Sequence, residues 1–310
     1  MIPALVLTAG LATRLRPLSF VRAKAALPVG DQVIVERILR WLAGHGVTDA
    51  VLNLHHLPHT ITALVGDGMA GVRVRYSWET PVLGSAGGPR RALPLLGTSP
   101  FLIVNGDTLT NVDVGGLVDA HRRSGALVTM AVIPNVEPAK YGGVVVEGEA
   151  VRGFATAGSA APSYHFVGVQ VADADVFAPL RDDVPSESVK EVYPALIAAR
   201  PGSVRAFVTE AEFFDIGTPA DYLSTCLRFE PHGSRIPDPG SRLDDCVVWD
   251  DVHVEGNVRL RRCILTDGVR VPAGTSWDNM TVRVAHGELL ASERLAGELA
   301  IGSIDGTTRA

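Results

Sequence analysis

The sequence predicts an α/β fold, a mostly parallel mixed sheet with helices on both faces, followed by a short run of β-solenoid rungs. Up to about residue 230, short apolar strand-like runs alternate with helical stripes, the βαβ pattern of a parallel sheet covered on both sides. Around 231–240 the texture shifts to Pro, Gly and Ser, which reads as a linker. Beyond it, Cys246-Val247-Val248-Trp249-Asp250-Asp251-Val252-His253-Val254 resembles Cys263-Ile264-Leu265-Thr266-Asp267-Gly268-Val269-Arg270-Val271, seventeen positions later.

The elements follow from local periodicity. Ile2 to Leu7 is a short apolar strand, and Ile34, Ile38, Leu39 and Leu42 make a helical stripe. After the stop signals Gly44 and Gly46, residues 50–54 form an apolar strand. Val72, Val74 and Tyr76 alternate with Arg73, Arg75 and Ser77, which is strand period. Phe101 to Val104 is fully apolar and ends in Asn105-Gly106-Asp107. Further strands are expected at 127–133, 143–146, 151–154 and 165–171, and helices near 113–123, 188–199 and 219–229. In the C-terminal repeat, Val252, Val258 and Ile264 recur every six residues, a solenoid signature. Two rungs are too small to bury their face alone, so they are expected to lean on the main domain (residues 1–230) or on a second copy of the chain. The rungs are assigned to 241–285, and from about His286 the chain reads as an amphipathic helix at best.

Composition excludes several function classes. A chain of 310 residues with 46% hydrophobic content buries roughly three quarters of its unfolded surface, enough for a full core. A net charge of -6 gives no basic face for neutralising nucleic-acid phosphates. Cys226, Cys246 and Cys263 are too few and scattered for a disulfide framework or a zinc site, so a reducing, cytoplasmic setting is expected. The N-terminus lacks a signal-peptide pattern, and no run of about 18 apolar residues is present to span a bilayer, so a soluble protein is expected.

The chemistry concentrates at strand ends, beyond whose carboxyl termini such sheets hold ligands. Leu7-Thr8-Ala9-Gly10-Leu11-Ala12-Thr13-Arg14-Leu15-Arg16-Pro17-Leu18, with Lys24 close behind, follows the first strand and offers small residues and cations suited to phosphate. Asp107 ends an apolar strand, where a carboxylate can hold a hard cation or cap the helix that follows. Asp215 in Phe213-Phe214-Asp215-Ile216-Gly217-Thr218-Pro219 precedes a helix with Thr218 as its cap and Pro219 in its first turn. Two such carboxylates with substrate phosphates suit Mg²⁺. In Leu83-Gly84-Ser85-Ala86-Gly87-Gly88-Pro89 small residues let a planar ligand lie against backbone. His55, His56 and His59 have metal-compatible spacing but read as structural residues at a helix start. Gly66-Asp67-Gly68 reads as a turn. A dinucleotide fingerprint and a Gly-x-Ser-x-Gly elbow are both missing, which argues against oxidoreductase and hydrolase chemistry.

Together these motifs resemble the sugar-1-phosphate nucleotidylyltransferases, most of all their mannose-1-phosphate guanylyltransferase branch. The resemblance covers roughly 1–230 and rests on Leu7 to Leu18, Lys24 followed by Leu27-Pro28-Val29, Leu83 to Gly87, Asn105-Gly106-Asp107, Tyr141-Gly142, and Asp215 to Pro219. It implies a Rossmann-like sheet and, for the rungs, a left-handed β-helix fragment. It implies a reaction in which a hexose-1-phosphate oxygen attacks the α-phosphorus of a nucleoside triphosphate and pyrophosphate leaves. GTP with mannose-1-phosphate is the first expectation, with UTP- or dTTP-dependent transfer as the alternative. Arg14 would then contact the triphosphate and Lys24 the phosphates at the reacting centre, while Asp107 and Asp215 hold Mg²⁺. Leu7, Ala9, Gly10 and Thr13, with Gly84, Ser85, Ala86 and Gly87, would receive the nucleotide, and Gly142 and Gly168 would line the sugar side. Implied partners are the two substrates, without nucleic acid or membrane, and self-association through the rungs is a further expectation.

Some positions depart from the family pattern. Ala12 stands where most members have glycine, and Ala23 where proline is usual. Phe154-Ala155-Thr156-Ala157-Gly158 lacks the Glu-Lys-Pro expected two residues after the phenylalanine, and Phe166 replaces an asparagine. Lys140, Arg152 and Lys190 are the cations available to stand in. The missing charges also motivate another reading, a catalytically weak paralogue that binds a nucleotide-sugar and regulates a partner.

Overall fold

The computed structural model describes residues 2–229 and 240–306. Most of the expected linker at 231–240 lies outside the described residues. The chain divides into two compact units, Met1–Gly10 with Val35–Phe214, and Leu11–Ile34 with Asp215–Ala310.

The first unit is built on a ten-stranded sheet. Its elements in chain order are β1 (Ala4–Leu7), α1 (Ile34–Gly44), β2 (Asp49–Leu54), α2 (Pro58–Val65), β3 (Val72–Trp78), α3 (Gly84–Leu96), β4 (Phe101–Asn105), α4 (Val114–Ser124), β5 (Val128–Pro134), β6 (Gly143–Glu147), β7 (Ala150–Ala155), β8 (Tyr164–Ala172), α5 (Tyr193–Ala199) and β9 (Val204–Val208). The sheet order is β6-β7-β9-β5-β8-β4-β1-β2-β3, with the two-residue strand Gly68–Met69 at the far edge. Parallel pairing holds for β4-β1-β2-β3 and for β9 with β5. The other neighbours are antiparallel, so the sheet is mixed and not mostly parallel as expected. Residues 148 and 149 join β6 to β7 too tightly for a crossover, with Gly148 at φ 62, so that pair is forced into a hairpin.

Ala4, Leu5 and Val6, like Phe101 to Val104, are fully buried, as central strands covered on both faces require. The register aligns Leu7 with both Asn53 and Asn105, so β1, β2 and β4 end together. That shared carboxyl edge positions the site.

In the second unit, Leu11–Ile34 carries three 3₁₀ turns, Thr13–Leu15, Leu18–Phe20 and Lys24–Ala26, and a small hairpin of Pro28–Val29 with Gln32–Val33. Helix α6 (Pro219–Cys226) starts as the sequence suggests, the Thr218 hydroxyl accepting from the Asp221 N–H at 3.1 Å. The rungs are parallel: Arg242–Asp244, Arg259–Arg261 and Ser276–Asp278 stack on one face, Val247–Val248 pairs Ile264–Leu265 on a second, and His253–Val254 pairs Arg270–Val271 on a third. Every pairing has the seventeen-residue offset of the sequence repeat, not the eighteen of three strict hexads. Corner residues fall in series, Asp245, Arg262 and Asn279, then Asp251 and Gly268, then Asn257 and Gly274, all with positive φ. Cys246, Val258, Leu260, Cys263, Leu265, Val269, Val271 and Val282 fill the interior.

The helix expected after His286 is overturned. Strands Glu293–Ala296 and Leu299–Ser303 pair as a hairpin, and the second adds antiparallel to Met280–Val284. The last rung strand leaves an edge of unpaired backbone groups, and covering it outweighs local helical preference. The Arg283 guanidinium locks the hairpin through both Glu293 carboxylate oxygens at 2.8 Å, and it also donates to the carbonyls of His286 and Glu288.

Candidate active site

Where β1 ends, the backbone is tied down by a buried amide. The Asn53 Oδ1 accepts from the N–H of Thr8 at 2.6 Å and of Ala9 at 3.3 Å, and the Thr8 hydroxyl donates to the Asn53 carbonyl. The Asn53 Nδ2 then donates to Glu79 Oε1 at 2.7 Å, and Glu79 Oε2 accepts the N–H of Leu83 at 2.8 Å. Asn53 is 3% and Glu79 2% exposed. A Cβ on Gly88 would stand 2.8 Å from Glu79 Oε1 and 2.9 Å from Asn53 Nδ2. This chain straps residues 79–83 to the tip of β1. Neither Asn53 nor Glu79 is picked out by the motif reading. The available signal is a polar residue within or just after an apolar strand, which buries only with partners.

The small residues that open α3 turn out to be engaged. The N–H groups of Ala86 and Gly87 donate to the Ser186 carbonyl, and the Ser85 hydroxyl donates to Glu187 while accepting from the N–H of Ser188. Gly87 is buried, and a Cβ there would lie 2.9 Å from the Val184 carbonyl, so packing explains that glycine. Gly84 has φ 76, and both it and Ser85 stay half-buried.

Asp107 sits on a turn pinned to β1. The Gly106 N–H donates to the Leu7 carbonyl at 2.8 Å, and a side chain on Gly106 would collide with that carbonyl. The Thr108 N–H closes the turn on Asn105, and its hydroxyl donates to the Val167 carbonyl at 3.0 Å. Gly168 is buried at φ 82 against Asn105 and Thr108. Asp107 itself is half-buried at the carboxyl edge of the parallel strands.

Gly142 is exposed beside a group of rings, Tyr141, His165 and Phe213, with centroids 4.4 and 4.7 Å apart around the histidine. The structure separates the three candidate cations. Lys140 lies over the Tyr141 ring at 4.9 Å, Arg152 pairs with Glu147 across the β6–β7 turn, and Lys190 sits in the turn 188–192 before α5. Phe154 and Phe166 pack against the apolar core, the physical outcome of losing polar residues there. His55 donates from Nδ1 to the Glu79 carbonyl at 2.9 Å, a structural use, while His59 is exposed.

In the second unit Ala12 is left-handed, φ 47, and its carbonyl accepts from the Leu15 N–H and the Ser19 hydroxyl. This is where a glycine would sit free of cost, while alanine is strained by about 1–2 kcal/mol. Thr13 and Arg14 are exposed, and Arg14 and Arg16 line a small cleft with Pro219, Thr281, Ser292 and Ser303. Lys24 is half-buried in its 3₁₀ turn. The Asp215 carbonyl accepts from the Thr225 hydroxyl, and a Cβ on Gly217 would stand 3.2 Å from both Asp215 Oδ1 and Asp221 Oδ2, so the glycine leaves these carboxylates room. Among the described residues no group of three or more His, Cys, Asp and Glu side chains is arranged to hold a metal.

The sequence profile of the Nucleotidyl transferase family matches residues 3–230, most of the chain. The chain belongs to this family. It is similar to the mannose-1-phosphate guanylyltransferase of Mycobacterium tuberculosis, 28% identical over 294 residues and covering 88% of this chain and 82% of that one. The mannose-1-phosphate guanyltransferase of Kluyveromyces lactis is 31% identical over 229 residues, covering 71% and 62% of the two chains. Among solved structures, HddC from Yersinia pseudotuberculosis shares the fold with a TM-score of 0.65 at 22% identity, over 74% of this chain and 100% of that one. No helix among the described residues of this nucleotidyl transferase is long and apolar enough to cross a membrane.

Proposed function

We propose that this nucleotidyl transferase condenses a nucleoside triphosphate with a hexose-1-phosphate, GTP with mannose-1-phosphate first. An oxygen of the sugar phosphate bonds to the α-phosphorus, the bond from that phosphorus to the bridging oxygen breaks, and pyrophosphate carries away the electron pair. The observation that carries this reading is the turn of Asn105 to Thr108, pinned to Leu7, which fixes Asp107 at the carboxyl ends of three parallel strands in a chain whose named relatives are guanylyltransferases.

No covalent step falls to the protein, so catalysis reduces to placement and charge. Holding two anions in line supplies about 7–11 kcal/mol, and each well-placed donor or cation about 3–4 more. Arg14 binds the triphosphate, and Lys24 neutralises charge at the reacting phosphates. The backbone at Leu7, Ala9 and Gly10, with Thr13 and the half-buried Gly84 and Ser85, receives the nucleotide. Gly142 and Gly168 line the sugar side, and Lys140, beside Tyr141, is the best-placed substitute for the missing cation. Asp107 and Asp215 suit Mg²⁺, which takes one or two carboxylates plus substrate phosphates, and Gly217 keeps the second of them uncrowded. When bound, Mg²⁺ offsets phosphate charge in the transition state. The rungs read as a left-handed β-helix, supported by three parallel faces per turn and a repeat close to three hexads. Three buried cysteines, none of them in a disulfide among the described residues, agree with a reducing, cytoplasmic setting. Self-association through the rungs is read by light scattering.

The test is pyrophosphate release with Mg²⁺ and a panel of triphosphates and sugar-1-phosphates. GTP with mannose-1-phosphate is expected to lead, and Asp107→Ala to abolish release. A UTP or dTTP preference moves the protein to the alternative substrate class. The apolar packing of Phe154 and Phe166 favours a second reading, a nucleotide-sugar-binding regulator. Tight nucleotide-sugar binding with no release across the panel would establish it.

A further inference from the structure

Within the second unit, the Leu11–Ile34 segment is fastened to the rungs on both sides of Lys24. Arg22 donates from Nε and Nη2 to both oxygens of Asp267 at 2.7 Å and from Nη2 to Asp250 at 2.5 Å. Its guanidinium lies 5.4 Å from the Trp249 ring centroid, and its side chain is 12% exposed. Burial alone would lower the Arg22 pKa, but the hydrogen bonds to Asp267 and Asp250 outweigh it and hold the charge more firmly than usual. Asp250 and Asp267 occupy the same place on successive rungs, and the Asp250 N–H donates to Asp267 Oδ1 at 3.2 Å. One arginine therefore spans two turns of the coil. On the other side of Lys24, the Tyr222 hydroxyl donates to the Pro28 carbonyl at 2.6 Å and accepts from Trp249 Nε1 at 2.9 Å. Between these anchors Ala23, Ala25, Ala26 and Leu27 are buried, while Lys24 is only half-buried. Upstream, the Phe20 ring packs 5.1 Å from the guanidinium of Arg283 in the last rung strand.

We propose that Arg22 is a positioning residue whose grip on Asp250 and Asp267 sets the segment that presents Arg14 and Lys24 to the triphosphate, making the rungs part of the catalytic machinery. This rests on the function proposed above. An isolated exposed ion pair would not carry the claim, because such pairs contribute little. A bidentate pair shared by two carboxylates and backed by an aromatic face fixes orientation as well as charge. The consequence is selective: loosening the segment should weaken the triphosphate side and leave the sugar side alone.

The experiment is the full-length Asp250→Asn/Asp267→Asn double variant, with Arg22→Lys beside it. Because displacing reacting groups by about 1 Å costs on the order of 100-fold, partial loosening is expected to raise the KM for GTP about tenfold and lower kcat about tenfold. The KM for mannose-1-phosphate should stay within about twofold and the circular dichroism spectrum unchanged. Arg22→Lys, which keeps the charge but not the fork, should fall between wild type and the double variant. Unchanged kinetics, or equal rises in both KM values, would overturn the proposal. Should the wild type release no pyrophosphate with any pair, the functional reading fails by itself. Trypsin then decides the grip: faster cleavage after Arg14 and Lys24 in the double variant supports it, and equal rates overturn it.

Discussion

Replacing Asn53 with alanine removes the hub that joins β1, β2 and the 79–83 loop. Three groups lose their partner: the N–H of Thr8, the N–H of Ala9 and Oε1 of Glu79. The Ala9 contact, at 3.3 Å, is weak, so the loss comes mainly from the other two. Each buried group left unsatisfied costs about 1–3 kcal/mol, and the carboxylate lies toward the upper end, which gives about 3–5 kcal/mol in all. Against a typical total of about 5–15 kcal/mol this is a large loss. Urea unfolding followed by circular dichroism measures it, and amide hydrogen exchange at Thr8 localises it. Asn53→Asp keeps the acceptor for Thr8 but sets a carboxylate against Glu79, so it should destabilise at least as much. A loss below about 1 kcal/mol with Thr8 still protected would show that the buried chain does not brace the edge of the site.

Other expectations follow from single environments. Gly168→Ala places a methyl group at φ 82 against Thr108 and Asn105, adding left-handed strain to overpacking, and should cost about 2–4 kcal/mol in thermal unfolding. Gly10→Ala meets nothing within 4 Å, so stability should hold while the KM for the triphosphate rises; an unchanged KM would place the nucleotide elsewhere. His121 on α4 is buried, which lowers its pKa from 6.5, with Asp173 opposing in part. Its folded value lies below the unfolded one, so the unfolded chain binds more protons in between, and this stability is present above about pH 6.5 and lost as pH falls through the folded value. His121→Gln should flatten the acid side of the stability profile. Glu293→Ala strands the Arg283 charge in the C-terminal hairpin, a loss of about 3–5 kcal/mol that hydrogen exchange in strand Leu299–Ser303 would report.

Local pattern made the central strands legible, because Leu5, Val6 and Phe101 to Val104 are buried on both faces and need nothing but apolar side chains. It also put Asp107 and Asp215 just beyond strand ends, which is where the strands Phe101–Asn105 and Phe213–Phe214 leave them. The direction of the outer strands was not legible, as the hydrophobic pattern of β8 is the same whether it runs with β4 or against it. Nor was the terminal hairpin, which forms because the strand Met280–Val284 offers it an edge, and Arg283 gives no sign in the sequence that Glu293 will neutralise it.

The division into units shows a deeper limit. Sequence order joins the segment carrying Arg14 and Lys24 to β1, yet in the structure residues 11–34 belong to the unit that holds the rungs. What binds them is Arg22 to Asp250 and Asp267, and Tyr222 to Pro28, contacts that cross more than 190 positions of the chain. A repeat can be read from spacing, but the repeat says only that Asp250 and Asp267 stack. Which side chain comes to rest between two stacked carboxylates is set by tertiary placement, and a cation is the partner that makes such a pair favourable. Arginine was the available choice, since its planar fork can satisfy two acceptors at once where lysine would hold each only as a point charge. On this reasoning the aspartate ladder is explained by the segment it holds and not by the coil, whose interior is apolar and complete without it.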